Sequence, residues 1–244
     1  MQRTKTSADA RVAAHSGGDA RDETTRDRIL AASLRVFATR GFDGARTRDI
    51  AELADANLGL IKYYFGDKEG LWKEAVARAF RELGEELAVA LAPREDGDER
   101  AQLEEVVRRF VRFVARNPAF MQLMNDEGKR DTPRMRWLAD GFVRPLFEVM
   151  RARVESAQAH GILPRVPAVS VHYIALGAMG LAFSESAECR YVTGVDPTTE
   201  EFAERHADAV LQLLMPEARA TARARTPRAP RAGTARSGRR RGQR

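Results

Sequence analysis

Cysteine is nearly absent: Cys189 is the only one in 244 residues. A single thiol excludes an intramolecular disulfide and fits a reducing compartment, and an inert thiol is the simplest reading of its setting beside Glu188 and Arg190. Histidine is scarce as well, at positions 15, 160, 172 and 206, with no spacing that suits metal ligation, so no metal is expected. Paired carboxylates and Ser–His arrangements at usable spacing are missing too. That argues against an enzyme, and nothing in the pattern asks for a cofactor. No apolar run approaches the roughly 18 residues that span a bilayer, and residues 1–24 lack the apolar segment of a signal peptide. No stretch alternates apolar and polar residues as a half-buried strand would. These absences leave an all-α protein, expected to be cytoplasmic.

What is abundant is charge, and it is unevenly placed. The formal net charge is +6, but residues 217–244 alone hold ten arginines and one acid, a charge of +9. Residues 1–24 balance, residues 25–72 carry +1 and residues 73–216 carry −4. The two ends have no composition for a core, so 1–24 is expected to be a disordered extension and 217–244 a disordered Arg-rich tail. The tail reads either as a solvated end or as a non-specific DNA-tethering arm, since each arginine can neutralise a phosphate and release counterions.

Residues Thr47 to Lys68, TRDIAELADANLGLIKYYFGDK, spell two short helices around a tight turn. Thr47 has N-cap chemistry, and Ile50, Ala51 and Ala54 form one apolar stripe. Asp55 and Ala56 make the turn, and Asn57 can cap the second helix. Ile61, Tyr64 and Phe65 recur at helical spacing and should face inward. The opposite face presents Leu58, Gly59, Leu60, Lys62 and Tyr63. A helical hairpin of this length is common in proteins with no nucleic-acid role. A slim helix with a basic residue and an aromatic hydroxyl also suits a DNA major groove.

Residues 25–80 resemble the N-terminal DNA-binding domain of the TetR family of bacterial transcriptional regulators. The matching pieces are ILAASLRVFATRGFDGA, TRDIAELA, the pair Tyr63–Tyr64 before Phe65–Gly66, and Asp67–Lys68–Glu69–Gly70–Leu71. Two positions depart from the pattern: 62, often tyrosine in the family, is lysine, and 58, often basic or polar, is leucine. The resemblance implies an N-terminal three-helix head at 25–72 and a helical effector-binding and dimerisation body at 73–216. It also implies a homodimer on double-stranded operator DNA. Thr47, Lys62, Tyr63, Tyr64 and Lys68 would mostly hold phosphates. Arg48, Asn57, Leu58, Gly59, Leu60 and Lys62 would face base edges.

Beyond residue 72 the pattern is helical, giving about nine helices in all. A long one runs from Lys68 to before Pro93, with Leu71, Ala75, Ala79, Leu83 and Leu87 on one face. Another begins at Thr132–Pro133, holds Pro145 as a kink and closes at His160–Gly161. Val169 to Ala187 is apolar on nearly every side, and Thr198–Glu201 resembles a capping box. Phe110, Phe113, Phe120, Met121, Met124, Trp137 and Phe142 concentrate on successive helices, as a core would. The resemblance implies instead an inducer cavity, with Phe183 added to its lining and an unknown, largely apolar effector inside. Asp126, Glu127, Lys129, Arg130, Arg134 and Arg136 lie beside it as a charged, mostly solvated face. The segment FSESAECRYVTGVDPTTEEFAERHADAVLQLLM also resembles the dimerisation region of one TetR subgroup. Ala178, Leu181, Phe202, Val210, Leu213 and Leu214 are then the expected interface. The whole reads as a ligand-responsive repressor on a palindromic operator. A DNA-compacting protein driven by the tail and an all-helical enzyme are the rivals.

Overall fold

The computed structural model describes residues 8–92 and 97–216, with side chains from Thr24 on. The expected Arg-rich tail lies outside the described residues. The first helix, α1 (Ala8–Gly44), begins inside the stretch expected to be a disordered extension, and residues 1–7 lie outside the described residues. The regular part of α1 breaks at Gly41, whose φ of 65° and ψ of 173° suit glycine. The chain folds back there, and Phe42 stacks on Phe37 at 5.9 Å.

Two short helices follow, α2 (Thr47–Leu53) and α3 (Leu58–Phe65), joined through Asp55 at φ 48°. Thr47 is not the cap expected of it: Arg46 occupies that position in extended conformation, without a side-chain cap bond. Asn57 does cap α3, its side chain accepting from the Gly59 N–H at 2.8 Å. Arg28 holds the turn from α1, its Nε donating to the Ala54 carbonyl at 3.1 Å. Ile50, Ala51, Ile61 and Phe65 are buried against Ile29, Leu30 and Phe37. Full burial of such a side chain stabilises by about 1.5–3 kcal/mol, enough to fix the angle between α2 and α3.

The long helix α4 (Lys68–Leu91) starts at Asp67, which accepts from the Gly70 N–H at 2.8 Å. Leu71, Trp72, Ala75 and Val76 belong to the head's core, whereas Ala79, Leu83, Leu87 and Ala90 belong to a second core. The division expected at residue 72 therefore falls inside one continuous helix. α5 (Glu99–Arg116) lies along α4, and α6 (Pro118–Glu127) lies against α1. α7 (Pro133–Leu138), capped by the Thr132 hydroxyl, runs through a π turn at Ala139–Val143 into α8 (Arg144–Ala159). Pro145 was expected to kink this helix. It lacks the N–H that would bond the Gly141 carbonyl, and the π turn just before it takes up the mismatch, with Arg144 N–H bonded to the Ala139 carbonyl.

The last three helices are α9 (Ala168–Ser184), α10 (Ser186–Thr193) and α11 (Glu200–Leu214). Thr199 caps α11 by accepting from Phe202 N–H, but Phe202 stands where a capping box needs a glutamate, so only half the box forms. With α7 and α8 taken as one, ten helices lie among the described residues. The helix beyond the expected nine is α10, which bends 74° away from α9. No strand occurs among the described residues, and no single helix there is long and apolar enough to cross a membrane.

Candidate DNA-binding face and effector cavity

The outer side of α3 is bare. Leu58, Gly59, Lys62 and Tyr63 are exposed, Tyr63 to 77%, while Ile61 and Phe65 on the other side are buried. Arg48 is exposed on α2, and Thr47 is half-buried in its first turn. Beside them an open cleft of about 570 Å³ is bordered by Arg46, Leu58, Lys62 and Lys68. It adjoins the N-terminal turn of α2, where backbone N–H groups and the helix dipole favour an anion. Arg46, on the border of this cleft, is a residue that the sequence pattern did not single out; its signal is a basic residue immediately ahead of a helix.

Two expected DNA contacts are corrected. Tyr64 turns inward: its hydroxyl oxygen is buried and its ring packs on Tyr63 at 5.1 Å and Phe65 at 5.9 Å. Leu60 is half-buried against the head's core, so it has little surface to offer a base. Lys68 borders the cleft as expected of a phosphate contact, and its Nζ also donates to the Asp43 carbonyl at 3.2 Å and sits 4.7 Å over the Phe42 ring. It ties the end of α1 to the start of α4. Asn57 is exposed but its carbonyl oxygen is already spent on the cap.

Inside the body a cavity of about 470 Å³ opens between α4, α5, α6, α8 and α9. Phe110, Phe120, Met121 and Met124 line it as expected. The other four expected lining residues do not. Phe113 is sealed in the second core against Phe120, 5.3 Å between rings, and Phe183 is fully buried against Phe202 and His206. Trp137 and Phe142 continue a row of rings that links the two cores. Trp72 meets Trp137 at 5.8 Å, Trp137 meets Phe142 at 5.2 Å, and Phe142 stacks on Phe80 at 4.8 Å. Phe80, Leu146, His172 and Leu176 line the cavity instead. Periodicity could not find them on α9, which is apolar on nearly all sides and so gives no inward face. An inner compartment of about 90 Å³ shares Phe110, Leu146, His172 and Leu176 with the larger one. Burial holds the His172 pKa below its ordinary value, so its ring is neutral at neutral pH.

Head and body meet at α6 and α7. Leu123 and Leu138 belong to the body's helices yet are buried in the head's core. Arg134 lies 3.9 Å over the Phe42 ring and bonds Glu127 at 3.2 Å, both side chains largely buried. α6 is thus two-sided, with Met121 and Met124 toward the cavity and Leu123 in the head's core. Of the expected interface residues, Leu181 and Leu213 project outward, and Val210 does not, being 2% exposed inside the chain's own core. Phe202 stacks on His206 at 5.3 Å, the Ala178 carbonyl faces the His206 ring at 2.7 Å, and Leu214 packs on the second core. The apolar surface left bare lies elsewhere: Val169, Tyr173 and Ile174 on α9, and Tyr191 and Val192 on α10.

A helix-turn-helix head fused to an all-helical body with a ligand-sized cavity defines a two-part DNA-binding protein. Residues 29–75 match "Bacterial regulatory proteins, tetR family" and residues 100–214 match "Tetracyclin repressor-like, C-terminal domain", together more than half of the sequence. The chain belongs to the tetR family of bacterial regulatory proteins. It is 32% identical over 143 residues to the transcriptional repressor NicS of Pseudomonas putida, covering 54% of this chain and 65% of that one. It is 30% identical over 103 residues to the probable regulator YttP of Bacillus subtilis, covering 38% and 50%. The chain thus spans about half to two thirds of the length of these relatives. Among solved structures, a putative fatty acid metabolism regulator of Clostridium perfringens superposes with a TM-score of 0.63 at 17% identity, covering 77% of this chain and 96% of that one. AibR in complex with isovaleryl coenzyme A and operator DNA gives 0.63 at 16%, covering 79% and 98%. At these identities the structures speak for the fold.

Proposed function

We propose that this chain is a homodimeric repressor that holds a two-fold symmetric operator and lets go when a largely apolar small molecule fills the body's cavity. The bare outer side of α3, set on a core that is closed beneath it, carries the reading. Leu58 and Gly59 let the helix approach a groove closely, Leu58 suits a thymine methyl, and Lys62 and Tyr63 reach bases or phosphates. Arg46, Arg48 and Thr47 would grip the backbone beside it. The exposed apolar residues of α9 and α10, with Leu181 and Leu213, are the surface a second copy would cover. Two heads would then enter major grooves about one DNA turn or more apart.

The effector would act by favouring one spacing of the heads over another. A molecule pressing on Met121 or Met124 pushes α6, and α6 cannot move without dragging Leu123 through the head's core. The ring row from Phe80 to Trp72 and the continuous α4 offer parallel routes. That AibR is described with both a coenzyme A thioester and operator DNA supports a scheme in which one chain serves both partners. The homologues' role as regulators speaks against an enzyme. The test is selection of random duplexes by the purified protein, followed by light scattering of wild type and Ile174→Glu. A two-fold symmetric consensus and a dimer that Ile174→Glu splits are expected. A monomer, or a pool with no enriched sequence, would sink the reading in favour of non-specific binding.

A further inference from the structure

We propose that the effector is an anionic amphiphile with one extended alkyl chain, its head near Lys129 and its tail passing His172 into the inner compartment. The inference rests on the reading of this cavity as the effector site. Shape comes first. The wide compartment and the narrow one, about 470 and 90 Å³, abut across the side chains of Phe110, Leu146, His172 and Leu176, which a ligand chain passing from one to the other would have to part. A rigid ring system that fills the first cannot follow into the second, whereas a flexible chain can.

Charge decides the head. No carboxylate lines either compartment; the charged side chains are Lys129 on the outer one and Arg151 on the inner. Arg151 is already neutralised by Glu148 and Glu155, at 2.8 and 2.7 Å. Lys129 is exposed and makes no ion pair among the described residues. A cationic ligand would meet no counter-charge and would lose its hydration without return, whereas an anion at the outer end meets a free ammonium. Polarity gives the direction. Asn125 and Lys129 stand on the outer compartment, while Leu87, Val106, Met150 and Met179 wall the inner one. The neutral imidazole of His172 at the neck adds no charge for the chain to pass.

Calorimetric titration of the full chain with straight-chain alkanoates, and with alkyltrimethylammonium ions of matched length, tests this. Alkanoate affinity should rise about fourfold per added CH₂ until the inner compartment is full, then level off. Each ammonium should bind about two- to fivefold more weakly than its matched alkanoate, and Lys129→Glu, a change on an exposed side chain, should erase or reverse that preference. Ala175→Leu, on the inner compartment alone, should shorten the favoured chain, and an unchanged urea-unfolding midpoint checks that the variant folds. Equal affinity for the two series, indifference to Lys129→Glu, or no gain beyond octanoate would each overturn the proposal. Alkanoates that bind as described but leave operator affinity unchanged would keep the ligand class of the cavity and overturn the reading of that ligand as the effector.

Discussion

The head and the body are built from the same amphipathic helices, yet one closes its core and the other does not. In the head, α1 to α3 and the first turns of α4 bury Ile29, Leu30, Ile50, Leu71 and Trp72 completely, and the surface proposed to read DNA lies outside, on α3 and the first turn of α2. In the body, α4, α5, α6, α8 and α9 stand apart far enough to leave an apolar cavity lined in part by methionines. The difference follows from what each part must do. A reader of DNA has to present side chains in fixed geometry, so its support should not yield. A receptor for an apolar molecule needs unfilled space, and unfilled space costs packing contacts that the surrounding helices give up. The two parts share α4 and the residues Leu123 and Leu138, so loss of packing in one is felt by the other.

The largest expected break in that comparison is Trp72→Ala. The side chain is fully buried where the head's core meets Phe42, Arg134 and Trp137, so its loss should cost about 3–5 kcal/mol in urea unfolding. Met124→Ala already faces empty space in the body and should cost about 1 kcal/mol. Similar costs at both sites would mean that the cavity closes in solution, and the contrast between the two parts would fail.

Next in size is the effect of baring α3 further. Lys62→Ala or Tyr63→Ala should weaken selected-operator binding by about 1–3 kcal/mol, roughly ten- to a hundredfold, with unfolding free energy within about 0.5 kcal/mol of wild type. Tyr64→Phe is the control: its hydroxyl is buried, so operator affinity should hold. Fluorescence anisotropy on the same duplex reads all three. Loss of affinity in the Tyr64 variant alone would move the reading face by one position around the helix.

The head was far more legible than the body, for a physical reason. Ile50, Ala51, Ile61 and Phe65 fall on narrow stripes flanked by polar residues, so their inward direction is unambiguous, and Asn57 is a cap by chemistry alone. Tyr64 and Leu60 were harder because they sit at the edge of the stripe, where a few degrees of rotation decide between core and solvent. On α9 no stripe exists, so neither the cavity wall of His172 and Leu176 nor the bare Tyr173 and Ile174 could be told apart by periodicity. The same limit misplaced Phe183, whereas Phe113 and Val210 lie on the clear stripes of α5 and α11, where periodicity gives the inward direction but cannot tell a packed core from a cavity wall or an interface. α10 escaped notice because eight residues from Ser186 to Thr193 hold no buried position.

A smaller effect should come from the cap that positions the reading helix. Asn57→Ala removes the acceptor of the Gly59 N–H and should lower stability by about 1 kcal/mol, within a usual range of roughly 0.5–2. Because α3 is only eight residues long, fraying at its start should reach Leu58 and Lys62, so operator affinity should fall along with stability. Asn57→Asp restores the acceptor and should recover stability, while its negative charge at the DNA face should keep affinity low. A variant series in which stability and affinity never part would mean that Asn57 works through the fold alone.

The smallest expected effect tests the body through His172. Burial holds its folded-state pKa below the unfolded value of about 6.5, so the unfolded chain takes up a proton first as pH falls. Stability should therefore be unaffected by this group at pH 8 and should decline as pH drops from about 7, through 6.5, until the folded-state value is passed. The carboxylates of Glu99 and Glu204, both lowered by their hydrogen bonds, act in a separate window, at and below the usual carboxylate range. His172→Gln should flatten the decline between pH 7 and 5.5 and leave the more acidic limb in place. An occupied cavity should steepen it, since a ligand chain lying against the imidazole removes the water that would solvate the proton. Chemical denaturation at half-unit pH steps, with and without decanoate, reads both slopes. An identical slope in wild type and His172→Gln would show that the ring is as well solvated in the folded chain as in the unfolded one.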